Sequence, residues 1–295
     1  MQIGRELSRK QSIACQFLTY ILTFIVGYFI LEQTDNMHPL VAMLIVDLVC
    51  TFLVFMSSLI FDNSSMYDPY WSLVPIFAAL WWTDSYFIQD GDFIRITLTF
   101  AVIFIWGSRL TWNFFVSWPG MRHEDWRYRY FRERFGRAYW LVSFFGIHLF
   151  PTLLVFLALM PAWAAMSSPE NLSSLNVLGA LVAMSAVLIQ GIADNQLRAH
   201  RASNPPRGAV LDSGLWRYSR HPNYFGEVLF WWGLWLIGFS ASPEAKWLII
   251  GPLAMTALFL FSSVPWTDKK TLETRPEYAV RMKQVSGLIP WFRKN

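Results

Sequence analysis

The chain has 295 residues, of which 55% are apolar and 15% charged, and its formal net charge is +4. A soluble domain of this length rarely combines so few charges with 16 tryptophans and 25 phenylalanines. The composition therefore argues against a soluble enzyme, and the two cysteines argue against a disulfide scaffold. It predicts a polytopic membrane protein.

Hydropathy in windows of about 20 residues, the length that crosses the hydrocarbon core, predicts eight helices. They cover residues 13–31, 40–61, 70–88, 93–116, 140–164, 175–193, 224–240 and 247–265. The third and seventh are short, so seven spans with one re-entrant segment is the alternative. The expected fold class is all-α, a polytopic membrane protein with seven to eight transmembrane helices and a polar cofactor pocket on the cytoplasmic side.

Lysine and arginine are concentrated at the N-terminus and in the segments 118–138, 194–222 and 265–295. Since basic residues are retained on the cytoplasmic side of a membrane, we expect both termini to be cytoplasmic. Topology then explains the positive charge. We expect no nucleic acid partner and no obligate protein partner.

Polar residues at membrane depth usually face a cavity or a polar partner rather than lipid. The first in chain order is Asp47, midway along the second helix. Tyr67, Asp68 and Trp71 follow at the start of the third helix, then Trp106, Arg109 and Asn113 on one face of the fourth. Asp68 precedes Pro69, so it is equally placed to cap that helix. Arg109 within a span implies either snorkelling or an ion pair.

An arginine-rich segment at 118–130 follows a Pro-Gly break after the fourth helix. It contains Arg122, Asp125 and Arg127 among the aromatic residues Trp126, Tyr128 and Tyr130. Arginines supply forked donors for phosphate, and the rings offer flat faces for an adenine. The alternative is a solvated basic loop with internal Glu–Arg pairs.

The segment 192–201 continues the sixth helix out of the membrane. It places Asp194, Arg198 and Arg201 at positions i, i+4 and i+7 of one helical face. As a binding face, the carboxylate suits ribose hydroxyls and the two guanidiniums suit phosphate. An internal salt bridge at a helix end is the alternative.

The densest polar cluster, 213–227, lies directly against the apolar run 228–239. Its candidate site residues are Tyr218, His221, Asn223, Tyr224 and Glu227. A carboxylate such as Glu227, just inside a span rich in tryptophan, is costly unless it is paired or hydrogen-bonded. It belongs to a ligand site or clamps a neighbouring arginine, Arg220 or Arg217. The histidines lack the spacing and the cysteine companions of a metal site, so no metal is expected.

The segment 190–292 resembles the C-terminal domain of steroid 5-alpha-reductases. The residues that carry the resemblance are Asp194, Arg201, Gly214-Leu215, Tyr218, Asn223, Gly226, Glu227 and the terminal 287–292. The patterns at 65–71 and 122–128 are similar to those of a bacterial branch of uncharacterised membrane proteins with this domain. Together these motifs span most of residues 62–292.

The resemblance implies a membrane reductase that binds NADPH and reduces the double bond of a 3-oxo-4-ene steroid or a similar flat enone lipid. The matching cofactor positions are Asp194, Arg201, Tyr218, Asn223 and Glu227, with Arg198, Tyr224 and Asp268 as weaker matches and Arg122, Asp125 and Arg127 placed by the branch pattern. We add Arg109, Asn113 and His221 to the expected cofactor site. The expected partners are a steroid or sterol-like substrate and membrane lipids.

Hydride addition beta to a carbonyl builds negative charge on the carbonyl oxygen, which a fixed donor in a dry cavity stabilises. Tyr67 and Asp68 are the candidate catalytic residues, with Asp68 either protonated through burial or holding the Tyr67 hydroxyl. Trp71 and Trp106 are the expected walls of the substrate site. Vertebrate members of the family carry a Gln-Glu pair where this chain has Tyr67-Asp68, and their helix tyrosine aligns nearest to Trp106.

Two other functions fit parts of the sequence. The Arg-His-Pro-x-Tyr-x-Gly run at 220–226 also resembles isoprenylcysteine carboxyl methyltransferases, which bind S-adenosylmethionine. The arginines at 122, 127, 198 and 201 favour a doubly phosphorylated adenosine over a sulfonium cofactor. A transporter would concentrate its charges near the bilayer midplane rather than on one face.

We expect one integral membrane domain over residues 1–295. It would consist of N-terminal helices (1–61), substrate-cavity helices with the arginine-rich segment (62–189) and a cofactor region (190–292).

Overall fold

The computed structural model describes residues 3–34, 36–83, 92–206 and 208–294, and these ranges are helical apart from their connections. The α-helices are α1 Ile3–Glu6, α2 Arg9–Leu31, α3 Pro39–Phe61, α4 Tyr70–Trp82, α5 Phe93–Ser117, α6 Trp126–Phe135, α7 Tyr139–Val142, α8 Phe150–Ser167, α9 Ser174–Ala202, α10 Pro222–Ala241, α11 Ile250–Leu258, α12 Val264–Thr274 and α13 Tyr278–Gln284. Short 3₁₀ helices lie at Ser64–Met66, Gly136–Ala138, Gly214–Arg217 and Pro243–Ile249. π-helical segments at Ser143–Leu149 and Phe259–Ser263 join α7 to α8 and α11 to α12.

In the described residues, six helical runs are long and apolar enough to cross a membrane. They are Arg9–Leu31, Pro39–Phe61, Phe93–Ser117, Trp126–Ser167, Ser174–Ala202 and Pro243–Thr274. The protein is therefore an all-α polytopic membrane protein, as hydropathy predicts. With 13 residues, α4 is about 20 Å long, shorter than the ~30 Å hydrocarbon core. The last predicted residues of this helix, 84–88, belong to the range 84–91, which lies outside the described ranges.

Local sequence signals set several helix starts. Ser8 and Gln11 form a capping box at the start of α2, in which each side chain bonds to the other residue's backbone N–H. Ser173 and Asn176 do the same for α9. Pro222 occupies the first turn of α10, where its missing N–H costs nothing.

Glycines bring α9 and α10 close together. A Cβ added to Gly233 would lie 2.6 Å from the Ala183 backbone nitrogen, and one added to Gly226 would lie 2.8 Å from the Ala186 carbonyl oxygen. Small residues at such crossings let membrane helices approach and gain packing energy. The contact fixes the first half of α9, at Ala183 and Ala186, against residues 226–233 of α10.

We call one end of the helix bundle the polar end. There the start of α2 contacts the end of α5, and the C-terminal segment contacts the residues just before α10. Arg9 donates to the carbonyl oxygens of Phe115 at 2.7 Å and Trp118 at 2.9 Å, tying α2 to α5. The backbone N–H of Arg220 donates to the Ser286 carbonyl at 2.9 Å. Both ends of the described chain therefore lie near the polar end.

Candidate functional site

A cavity of about 550 Å³ opens near the polar end, a size typical of the ~300–1,000 Å³ sites that hold small molecules. Its polar wall consists of Tyr67, Asp68, Arg109, Asn113, Arg127, Tyr128, Asp194, Asn223, Tyr224 and Glu227. Its apolar wall includes Trp71, Leu110, Phe131, Ile147, Phe150, Leu154, Met255, Phe259 and Trp266, with Gly146 among them. More than half of the predicted site residues line this cavity.

Arg109 links α5 to α9 across the polar wall. Its Nη1 donates to Asp194 Oδ2 at 2.8 Å and its Nη2 to Gln190 Oε1 at 2.6 Å. Asn223 of α10 donates to the other oxygen of Asp194 at 3.2 Å. An ion pair therefore accounts for Arg109 within a span. The alternative of a salt bridge inside α9 is wrong, because Asp194 pairs with Arg109 and not with Arg198.

Glu227 of α10 is 4% exposed and accepts three hydrogen bonds. Trp106 Nε1 and Gln190 Nε2 donate to Oε2 at 3.2 and 3.0 Å, and Trp231 Nε1 donates to Oε1 at 3.0 Å. A buried carboxylate is stable only when such donors satisfy it. The alternative in which Glu227 clamps a neighbouring arginine is wrong, because these three donors are neutral side chains.

Two buried atoms of the polar wall have no hydrogen-bond partner within the described ranges: Arg109 Nε, a donor, and Asn223 Oδ1, an acceptor. Buried polar atoms in folded proteins are nearly always paired. Both residues line the cavity, so this part of the polar wall holds hydrogen-bonding capacity that the described side chains leave unused.

Asp68, in the turn between α3 and α4, has Tyr128 of α6 as its partner. The Tyr128 hydroxyl donates to Asp68 Oδ1, and the adjacent Arg127 pairs with Asp125 at 2.7 Å. Burial and the neighbouring Asp125 carboxylate raise the pKa of Asp68 to about 7. A carboxyl group that is partly protonated at neutral pH, hydrogen-bonded to a tyrosine, is suited to supply a proton to an atom in the cavity.

Tyr67 lines the cavity, but its hydroxyl bonds to Thr152 Oγ1 at 2.8 Å. The expectation that Asp68 holds the Tyr67 hydroxyl is therefore wrong. The capping alternative for Asp68 is wrong as well, because Pro69 stands at the cap position of α4 and no side chain bonds there.

Trp106 was predicted to form a wall of the substrate site, but it is not among the residues that line the cavity. Its side chain is fully buried and stacks on Phe230 with ring centres 4.5 Å apart. Its ring centre lies 5.9 Å from that of Trp71, which does line the cavity. Trp106 therefore supports Trp71 and Glu227 from behind.

His221 and Asp268 lie behind the polar wall in an ionic cluster. Asp268 pairs with Arg220 at 2.7 Å and with His221 Nε2 at 2.8 Å, and it accepts from the Tyr278 hydroxyl at 2.8 Å. The His221 ring stacks on Tyr224 with centres 5.1 Å apart. The cluster ties α12 and α13 to the start of α10, and it positions Tyr224 in the cavity wall.

The other predicted residues lie outside the cavity: Arg122, Asp125, Arg198, Arg201 and Tyr218. Arg198 donates to Asn113, which lines the cavity. Arg122, Arg201 and Tyr218 are exposed. These side chains would meet only a part of a ligand that projects from the cavity.

Sequence reasoning missed Gln190, which contacts both Arg109 and Glu227. Its signal was available, since Gln190 lies one helical turn before Asp194 on the same face of an apolar helix. The pairing of Tyr128 with Asp68 has no local signal, because 60 residues separate the two.

The fold defines an integral membrane protein whose helices enclose a cavity with one polar and one apolar wall. Residues 54–285 match the family described as "Protein of unknown function (DUF1295)", and since this is most of the chain, the protein belongs to that family. It is similar to an uncharacterised protein of Schizosaccharomyces pombe, with 26% identity over 284 residues that cover 86% of this chain and 80% of the relative. No solved structure matches the chain.

Proposed function

We propose that this protein is an NADPH-dependent membrane reductase that acts on the carbon–carbon double bond of a 3-oxo-4-ene steroid or a similar flat enone lipid. The observation that carries the proposal is the Asp68–Tyr128 pair, a proton donor on the wall of a cavity whose other wall is apolar. The resemblance of segment 190–292 to steroid 5-alpha-reductases supports the same reaction.

The polar wall fits the nicotinamide end of NADPH. A carboxamide carries both a donor and an acceptor, which complement the unpaired Asn223 Oδ1 and Arg109 Nε. Asp194 would accept from ribose hydroxyls, and the exposed Arg201 and Arg122 would bind phosphate outside the cavity. When bound, NADPH supplies the hydride.

The Tyr128 hydroxyl would stabilise charge on the substrate carbonyl oxygen when Asp68 is protonated. The Asp68 carboxyl then donates to the Tyr128 oxygen, which frees the Tyr128 O–H for the substrate and lets Asp68 replace a proton that Tyr128 gives away. Loss of one such fixed donor typically lowers kcat by about 10²–10³. The apolar wall, with Trp71 and Phe150, would hold the body of a flat lipid by excluding water.

We also propose that the polar end faces the cytoplasm of a bacterium. The arginine-rich segments 118–138 and 194–222 lie at this end, and basic residues are retained on the cytoplasmic side. That orientation gives the polar wall access to a soluble nucleotide.

Cofactor choice is the first test. Detergent-purified protein is titrated with NADPH, NADH and S-adenosylmethionine, then incubated with the preferred cofactor and progesterone. NADPH binding and appearance of the saturated 3-ketone are expected. Binding of S-adenosylmethionine alone would instead favour a methyltransferase, and binding of none would favour a non-enzymatic role.

The proton donor is tested with Tyr128→Phe and the matched variant Tyr67→Phe. Tyr128→Phe should lower kcat by about 10²–10³ and leave NADPH affinity unchanged. Tyr67→Phe should have a much smaller effect on kcat, because its hydroxyl already bonds to Thr152. Equal turnover in the two folded variants would remove Tyr128 from this role.

A further inference from the structure

We propose that ligands reach the cavity sideways from the bilayer, through a wedge between α8 and α11, and that Gly146 at the mouth of this wedge determines which lipids fit. The reaction that follows entry rests on the proposed function, whereas the entry route does not.

The two helices are closest at Gly251. A Cβ added there would lie 2.8 Å from Ala158 Cα, so α11 and α8 touch through their backbones at this point. Leu154, one turn before Ala158 on α8, and Met255, one turn after Gly251 on α11, both line the cavity. The cavity therefore begins about one helical turn from this contact on each helix.

The wedge widens where both helices change their winding. The π-helical segments Ser143–Leu149 and Phe259–Ser263 stand on either side of it, and both contribute residues to the cavity wall. A π-helical turn is wider than an α-helical one, interrupts the regular packing surface and is frequent at functional sites. The helical runs that contain these segments are among those long and apolar enough to cross the membrane, so the gap between them faces lipid.

Gly146 forms the mouth of the wedge. It is exposed and also lines the cavity, and a Cβ built on it would meet no atom within 4 Å. The adjacent Phe150 is 50% exposed and lines the cavity too. The cavity surface is therefore continuous with the lipid-facing surface at Gly146, where no side chain blocks the opening.

The residues around the mouth define the class of ligand. Gly146, Phe150, Phe259 and Ser262 carry no charge, so a charged headgroup would lose its hydration without gaining a partner. An uncharged lipid with one polar group can pass, place that group against Tyr128 and leave its body on the apolar wall. We infer that the ligand is a lipid of this kind.

The test uses an uncharged sterol that carries a diazirine and an alkyne, added to the full chain in phosphatidylcholine vesicles. After photolysis, mass spectrometry maps the labelled peptides. In the unchanged protein, the label should appear on the cavity-lining peptides around Leu154 and Met255. Photolysis at successive times after sterol addition gives the rate at which the cavity fills, and Gly146→Trp should lower that rate about tenfold.

Two variants serve as controls. Leu141→Trp adds an indole to a lipid-facing position of the same helical run, since Leu141 is 63% exposed and does not line the cavity. Gly146→Ala adds only a methyl group to the open position. Leu141→Trp should label like the unchanged protein, and labelling of Gly146→Ala should lie between the unchanged protein and Gly146→Trp. If Gly146→Trp melts early, Gly146→Leu provides the intermediate size.

Cavity labelling at an unchanged rate in Gly146→Trp would overturn this route, as would a sterol that never labels Leu154 or Met255. Labelling that depends on Gly146 without any reduction by NADPH would leave the route standing and reject the proposed reaction. The two proposals therefore fail independently.

Discussion

Replacing Glu227 with glutamine exchanges one carboxylate oxygen for an NH₂ group in a site where every neighbour is a donor. The best rotamer keeps the amide oxygen at the Oε2 position, where Trp106 and Gln190 donate, and turns the NH₂ towards Trp231 Nε1. Two donors then face each other in a fully buried position. An unsatisfied buried donor costs about 1–3 kcal/mol, so the variant should lose that much unfolding free energy.

A double-mutant cycle isolates this contact. Trp231→Phe removes the opposing N–H, so it should relieve part of the penalty of Glu227→Gln. The double variant should be about 1 kcal/mol more stable than the sum of the single changes predicts. The cost of the smaller ring cancels in the cycle. The readout is equilibrium unfolding in mixed detergent micelles.

Trp232→Phe provides the matched control, because the Trp232 indole donates to Thr256 and not to Glu227. Its cycle with Glu227→Gln should be additive within about 0.5 kcal/mol. If the Trp231 cycle is equally additive, the three-donor description of Glu227 is refuted.

Three further predictions concern other parts of the site. Asp68 has a pKa raised to about 7, so its protonated fraction, and turnover with it, should fall as pH rises through 7. Asp68→Asn should abolish this fall in the pH–rate profile. A flat profile of the unchanged protein would contradict the acid role. Gly233→Val should lower the unfolding free energy by about 1–3 kcal/mol through overpacking, because its Cβ would lie 2.6 Å from the Ala183 nitrogen. Thermal melting should show no such loss in Gly146→Ala, because a Cβ at Gly146 meets no atom within 4 Å. Arg109→Met should destabilise the protein by leaving Asp194 without its ion-pair partner. Adding Asp194→Asn should restore melting but not NADPH affinity, and a double variant as unstable as the single one would argue against this ion pair.

Hydropathy located most of the long apolar helices, because burial in lipid requires long apolar runs. The predicted spans 70–88 and 224–240 fall on α4 and α10, which in the described residues are not among the six runs long and apolar enough to cross a membrane. The predicted spans 13–31 and 40–61 correspond to α2 and α3 within a few residues. The predicted span 140–164 continues from the polar helix α6 through a π-helical segment, which leaves no mark in average hydropathy.

The polar wall was predictable as a set of residues but not as a network. Arg109 and Glu227 were identified because a charge within a span is costly, and Asp194 because it shares a helical face with two arginines. Their partners were not, since contacts between helices depend on register and side-chain length. Asp194 pairs with Arg109, 85 positions away, rather than with the arginines of its own segment, and Asp268 holds α10 in place from behind the wall.

Glycines bring α10 into close contact with helices on both sides of the cavity. On one side, the backbones of α9 and α10 already touch at Gly233 and Gly226. On the other side, a Cβ added to Gly238 of α10 would clash with the Pro161 carbonyl oxygen of α8. A change of shape on α8 is therefore transmitted through α10 to the polar wall, so engineering of ligand preference has to preserve the contact at Gly238.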